Sequence, residues 1–405
     1  MKLKFILFYF ISFSFVFGQG QGLQLTKKQY YDLYLAKDGK SKSLAKIMGA
    51  QDRKRSVLDK GNVVLRLSNA AIYGYDPWGL SHEFPAGSMI KDGCCTYYWT
   101  AGPIVGALKN GIPSVSVGTK YSARDHDEEF EPLANYDAGY VDSDANIGIA
   151  FSDVPESWPD LWPIETALGD TFMSIIYNAS KVPEDTLYFP GVEAELGPEG
   201  FPDAPCGIGV KADREAYFVV TDNDPEYGNT FASNNGVGPL NIRMDTWALN
   251  YSNTFGNDGF IFIQKMTNVG KDTLKDLFFG VNSDPDTPEQ GWNEWTDDLS
   301  MFISPDDPDI ADKLSDTTGA HLLENLAIMW DPDDQSEGFS SSGIAWVGVK
   351  FLESVHTKND GSTQNYGITA FHTVPWDQDT QSDVEAYNIQ LLGGIETPDN
   401  ISPHA

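Results

Sequence analysis

Four runs of acidic residues stand directly behind apolar segments of this chain: Asp222 to Glu226, Asp284 to Asp298, Asp306 to Asp312 and Asp331 to Glu337. Within them Asp222 and Asp224, Asp284 and Asp286, Asp297 and Asp298, and Asp331 and Asp333 are spaced to offer several carboxylate oxygens from one short loop. Hard cations such as Ca2+ gather about six to eight oxygens, and a bound ion relieves the repulsion between crowded carboxylates. Calcium is therefore the cofactor these loops suggest, with Asp284, Asp286, Asp297 and Asp298 the first candidates. None of the loops follows the EF-hand pattern: Gly228 comes one place late after Asp222, and Pro288 takes a ligand position after Asp284. The competing reading is a solvated negative surface on which Asp and Asn make turns.

Aromatic residues supply a second chemistry. Trp158 with Trp162 and Trp292 with Trp295 form two pairs in segments read as loops. An exposed indole can stack on a sugar ring, which makes Trp292 and Trp295 the candidate ligand-binding residues for a glycan. Buried aromatics that anchor loops onto a sheet give the same pattern. Nucleophilic and metal-assisted catalysis find less support. The sequence has no His-Glu-x-x-His, no phosphate-cradling glycine loop and no Gly-x-Ser-x-Gly elbow, since Gly338 to Gly343 holds one residue too many. Its six histidines are scattered, and His126 between Asp125 and Asp127 reads first as a surface histidine. A polysaccharide hydrolase would need only two well-placed carboxylates, a pair that cannot be chosen among 59 acidic residues. It is the alternative to a non-catalytic role.

The elements that must position these groups read as strands. Val63 to Leu67, Ile104 to Leu108 and Pro113 to Gly118 are rich in branched residues, with turn-forming Gly and Pro between them. Further on come Arg214 to Thr221 and Leu240 to Leu249. In the latter, Leu240, Ile242 and Met244 alternate with Asn241, Arg243 and Asp245. A period of two predicts one face inward and one toward water, as in an antiparallel sheet. Phe260 to Thr267 and Leu274 to Val281 flank an Asn-Val-Gly turn and predict a β-hairpin. Leu299 to Ile303, Leu326 to Trp330, Ile344 to Leu352 and Gly367 to Thr373 complete the set. Ser382-Asp383-Val384-Glu385 is a capping box for a short helix that Gly393-Gly394 would end. The expected fold class is all-β: antiparallel β-sandwich domains with long acidic loops and a few short helices.

The N-terminus reads differently. Lys2 and Lys4 precede a largely apolar run from Phe5 to Phe17, followed by Gly18 and Gly20, the layout of a secretory signal peptide over residues 1–20. The run is shorter than the ~20 apolar residues that span a bilayer. Residues 21–60 are basic, with ten Lys or Arg against four Asp from Gln24 to Lys60, and carry helical spacing. The formal charge is -32; with +2 from Lys2 and Lys4 and +6 from that segment, residues 61–405 hold -40. A body so acidic repels nucleic acid and anionic lipid, so the expected partners are glycans or cell-surface proteins, without membrane insertion. A β-rich domain over 61–209, a β-sandwich domain over 210–394 and a tail over 395–405 follow, with one sandwich or two left open. Cys94, Cys95 and Cys206 are too few for a disulfide scaffold. The Asn-x-Ser sites at Asn178 and Asn250 add little, since such triplets are common by chance.

Several short segments carry a resemblance. They are Phe84-Pro85-Ala86-Gly87-Ser88, Val115-Ser116-Val117-Gly118, Trp158-Pro159, Glu215-Ala216-Tyr217 with Asp222-Asn223-Asp224, Thr267-Asn268-Val269-Gly270, Asp284-Pro285-Asp286 and Gly348-Val349-Lys350-Phe351-Leu352-Glu353. Together they resemble large secreted bacterial surface proteins of unknown function, whose β-rich N-terminal regions are often followed by fibronectin type III modules and a type IX secretion sorting domain. The resemblance spans most of residues 62–394 and implies an extracellular or outer-cell-surface location without established catalysis. The sequence reaches Ala405 without such a sorting domain, which is where it departs from the family pattern.

Overall fold

Runs of branched and aromatic residues lose little when laid on a pleated surface, and here they become strands. The computed structural model describes residues 10–11, 55–74, 88–90, 96–98, 100–118, 129–132, 149–158, 161–165, 172–176, 201–202, 204, 210–222, 238–254, 256–284, 299–303, 325–330, 346–357, 362–366, 368, 370–372, 383–391 and 394–395. In chain order the strands begin with β1 (Phe10–Ile11), β2 (Arg55–Leu58), β3 (Val63–Ser68), β4 (Tyr73–Gly74), β5 (Ser88–Ile90), β6 (Thr96–Tyr98), β7 (Thr100–Lys109) and β8 (Ile112–Val117). They continue with β9 (Glu131–Pro132), β10 (Ala150–Phe151), β11 (Leu161–Glu165), β12 (Phe172–Ile176), β13 (Arg214–Thr221), β14 (Ile242–Asn250), β15 (Phe260–Asn268) and β16 (Leu274–Asp284). The last are β17 (Leu299–Ile303), β18 (Leu326–Trp330), β19 (Trp346–Phe351), β20 (Ser354–Thr357), β21 (Thr363–Tyr366), β22 (Ala370–Phe371) and β23 (Gly394–Ile395), with helix α1 (Asp383–Leu391) before β23.

Two large sheets result. One has nine strands in the order β10-β13-β14-β15-β1-β19-β18-β17, with β9 also on β13. The other has eight in the order β16-β7-β4-β3-β5-β6, with β2 on β3 and β8 on β7. The small pairs are β11 with β12, β20 with β21, and β22 with β23, the last being parallel. The remaining described pairings are antiparallel, so the molecule is all-β, as expected. Asn110 and Gly111, with φ of 53° and 81°, make the tight β7–β8 turn, where two left-handed residues match the twist of a hairpin.

The sheets face each other across one core. Tyr73 of β4 stacks on Phe262 of β15 with ring centroids 4.4 Å apart and meets Phe218 of β13 edge-on. A single buried cluster runs from Leu58, Leu65 and Val105 to Val220, Trp247 and Ile263. It draws on both sides of residue 210, so both halves of the chain contribute to one sandwich. After β1 the next described strand is β2, which starts at Arg55 inside the segment read as basic linker; residues 21–54 lie outside the described residues.

Two expectations are corrected. β15 and β16 do not form a hairpin. β15 pairs with β14 over nine residues, from Ile242 opposite Asn268 to Asn250 opposite Phe260, whereas β16 pairs with β7 in the other sheet. The connection between them is an arch from sheet to sheet. Asn268 shapes it: its Oδ1 accepts the Gly270 N–H at 2.9 Å, and its Nδ2 donates to Asp272 O at 3.0 Å. Val269 N–H then donates to Asn241 O at 3.0 Å, which moors the arch to the start of β14. Two apolar runs around an Asx-Gly turn satisfy either geometry; long partner strands on different sheets settle it.

The polar face of β14 does not meet water. Arg243 and Asp245 are buried to 1% and 4% exposure. Two residues apart on a strand, their side chains share a face and pair there, Arg243 Nε to Asp245 Oδ2 at 2.9 Å and Nη2 to Oδ1 at 2.6 Å. Among the described residues, this face is covered by Phe201, against Tyr217, and by Pro202, whose carbonyl accepts the Trp247 indole N–H at 3.0 Å. The helix expected after Ser382 is present as α1, and Tyr387 packs on Phe278 of β16.

Candidate functional site

Carboxylates are the chemistry this chain has in excess, and the sandwich fixes several of them. At the end of β13, Asp222 is 4% exposed. Its Oδ1 accepts the Ile242 N–H at 2.6 Å, and its Oδ2 accepts the Leu240 N–H and the Ser116 hydroxyl, both at 2.7 Å. The side chain therefore clamps the start of β14 to the end of β13 and reaches across to β8. Burial pushes its carboxyl above the usual range, against the opposing pull of the Ser116, Ile242 and Leu240 donors and of Lys109. Three of the roughly four lone-pair sites of the carboxylate are thereby taken by N–H and O–H donors.

The opposite end of β13 carries an ion network. Arg214 grips Asp153 with Nε to Oδ1 at 2.8 Å and Nη2 to Oδ2 at 3.0 Å, and its Nη1 reaches Asp59 Oδ1 at 3.0 Å. Lys60 Nζ adds a contact of 2.6 Å to Asp153, and the guanidinium lies 4.9 Å from the centre of the Phe151 ring. Burial tends to raise the Asp153 carboxyl, but the hydrogen bonds and charges of Arg214 and Lys60 outweigh it and hold the group below the usual range. The neighbouring Glu215, 1% exposed, turns Oε1 back onto the backbone N–H groups of Lys211 and Ala212. Asp213 accepts the Ser252 N–H and hydroxyl at 2.7 and 2.8 Å.

Two further polar groups sit inside the sheets. The Tyr217 hydroxyl donates to Asp245 Oδ1 at 2.8 Å, which completes the Arg243–Asp245 pair. Gln264 Nε2 donates to the Tyr73 hydroxyl at 2.8 Å between the two sheets, where burial drives that hydroxyl strongly toward its neutral form.

The candidate residues divide by where they fall. Asp222 is a strand clamp. Asp284 closes β16, half-buried, opposite Thr100 of β7. Asp224, Asp286, Asp297, Asp298, Asp331, Asp333, Trp292 and Trp295 lie outside the described residues. Among the described residues no group of three or more His, Cys, Asp or Glu is placed to hold a metal ion, and no described helix is long and apolar enough to cross a membrane. Trp158 is not a free loop aromatic: its indole N–H donates to Phe151 O at 2.7 Å and its ring packs on Phe201. Trp162 lies within β11. Asn250 of the Asn-x-Ser triplet is buried, with Oδ1 accepting the Lys60 N–H at 2.5 Å, so a glycan has no access to it. Asp59, Asp153 and Arg214 were not singled out from sequence, because their partners lie 155 and 61 residues apart.

No family model, no curated protein and no solved structure matches this chain.

Proposed function

We propose that this chain is a secreted or cell-surface β-sandwich protein with a structural or binding role, directed at a glycan or a cell-surface protein, and not a catalyst. What carries the reading is how the described carboxylates are used. Asp222, Asp153, Asp245 and Glu215 are each held by backbone N–H groups, an arginine or a tyrosine of the same sheet. A catalytic carboxylate must keep an oxygen for substrate or water; Asp222, Asp153 and Asp245 each commit both oxygens to contacts within the protein. The acidic body, the leader-like N-terminus and the tryptophans of the acidic loop support the same reading.

Calcium enters as part of the proposal, at the acidic segment from Asp284 to Asp298. Asp284 would be its anchor, since β16 holds that residue at the rim of the sandwich. Bound calcium would add stability without supplying chemistry. The test has two arms. Melting with EDTA and with millimolar calcium should give a higher Tm with calcium, a gap that Asp284→Asn together with Asp286→Asn removes; superimposable curves would end the calcium proposal. A glycan array read beside a panel of polysaccharides incubated for sugar release should show retention lost in Trp292→Ala and Trp295→Ala, and no released sugar. Turnover of any polysaccharide would overturn the non-catalytic reading.

A further inference from the structure

The nine-stranded sheet is continuous, among the described strands, only through β1. Ile11 pairs with Ile261 of β15 on one side, while Phe10 and Ile11 pair with Phe351 and Lys350 of β19 on the other. Without those two residues the sheet separates into β10-β13-β14-β15 and β19-β18-β17. β1 is antiparallel to both neighbours, so β15 and β19 run in the same direction. They stand two strand spacings apart, roughly 10 Å, too far to bond each other directly. Both also extend beyond the short β1, with nine residues in β15 and six in β19.

The occupant of this slot comes from an unexpected place. Phe10–Ile11 lies within Phe5 to Phe17, the apolar run that reads as the heart of a secretory leader. A leader that is cut away would leave two strand edges facing an open gap. Such edges are templates for another chain, and natural proteins cover them. Main-chain bonding to both edges gives affinity, and alternate side chains give selectivity.

We propose that the slot between β15 and β19 is a strand-accepting site for an extended, uncharged, apolar peptide. Its first occupant is the chain's own leader, which acts as a placeholder until processing. The site deepens the proposed binding role and rests on it for the idea that the leader is removed; the strand insertion itself does not depend on secretion.

Hydrogen exchange on the full chain tests the insertion. Proline at position 11 has no N–H and cannot sit in a central strand. In Ile11→Pro the amides of Phe260–Asn268 and Trp346–Phe351 should exchange at least about tenfold faster, with Arg214–Thr221 unchanged. Ile11→Val should match the wild type. Equal exchange in Ile11→Pro and wild type would overturn the proposal. The second arm uses the processed protein, its start established by N-terminal sequencing, and a synthetic Leu7–Ser14 peptide flanked by lysines. The peptide should restore protection in both strands, and its Ile11→Pro counterpart should not. A processed protein whose two strands ignore the peptide would overturn the slot and leave the secretion reading standing. A secreted protein that still begins at Met1 would remove the leader reading while the exchange result on the full chain stands.

Discussion

Asp222 shows how one side chain can be committed by three donors. Its removal in Asp222→Ala leaves the Leu240 and Ile242 N–H groups and the Ser116 hydroxyl without their acceptor inside the sandwich. Each unsatisfied buried donor costs about 1–3 kcal/mol, so urea denaturation should report a loss of about 3 kcal/mol or more, with the m-value unchanged. The sign of its titration is unusual for a carboxylate. A folded pKa above the unfolded one means the native state holds the proton more tightly. The stabilisation is full below the ordinary carboxylate value of 3.8 and fades as pH rises through the folded value. Asp153 works the other way. Its folded pKa is depressed by Arg214 and Lys60, so its stabilisation is present above 3.8 and is lost as pH falls through the folded value. Melting curves from pH 6 down to about pH 2 should therefore show an acid-induced loss in the wild type that is shallower in Asp153→Asn. Equal acid limbs would assign the loss to other carboxylates.

At the scale of elements, close approach of loops matters more than any strand's own propensity. The β2–β3 turn lies against the β14–β15 loop, with the Asn62 N–H donating to Asn257 O at 2.5 Å and Asn62 Nδ2 donating to Asp258 Oδ1 at 2.8 Å. Gly61 makes this approach feasible, because a Cβ there would stand 2.2 Å from Asn257 O. The obstacle is backbone, which cannot rotate away. Gly61→Ala should thus destabilise by about 1–3 kcal/mol, the usual range for overpacking, and thermal unfolding of the purified variant checks it. A Gly61→Ala protein as stable as the wild type would mean that the two loops separate freely. The arch from β15 to β16 belongs to this scale too. It moves the chain from one sheet to the other and so places Asp284 at the rim of the eight-stranded sheet, beside Thr100.

For the molecule as a whole, charge is the dominant feature. A formal -32 on 405 residues, concentrated beyond residue 60, makes the folded state repel itself. Monovalent salt shortens the reach of that repulsion to about 10 Å at 0.1 M. Raising sodium chloride from 10 to 300 mM should lift the Tm by a few degrees in EDTA, an effect separate from any calcium response and measurable by calorimetry. A Tm that falls with salt would mean that attractive pairs such as Arg214–Asp153 outweigh the net charge. The all-β class, the longer strands such as Arg214–Thr221, Ile242–Asn250 and Phe260–Asn268, and the helix at Asp383 were legible in the residues, because alternation, branched side chains and a capping box are local signals; short strands such as Arg55–Leu58 and Ser354–Thr357 carry too little pattern to be read. Local signals did not separate a hairpin from an arch at Asn268. Nor did they foresee that Arg243 and Asp245 are buried, since a period of two marks two faces and leaves open what covers each. Pairings such as Asp59 with Arg214 or Gln264 with Tyr73 join residues 155 and 191 positions apart, and only the packing of one sheet on the other could decide them.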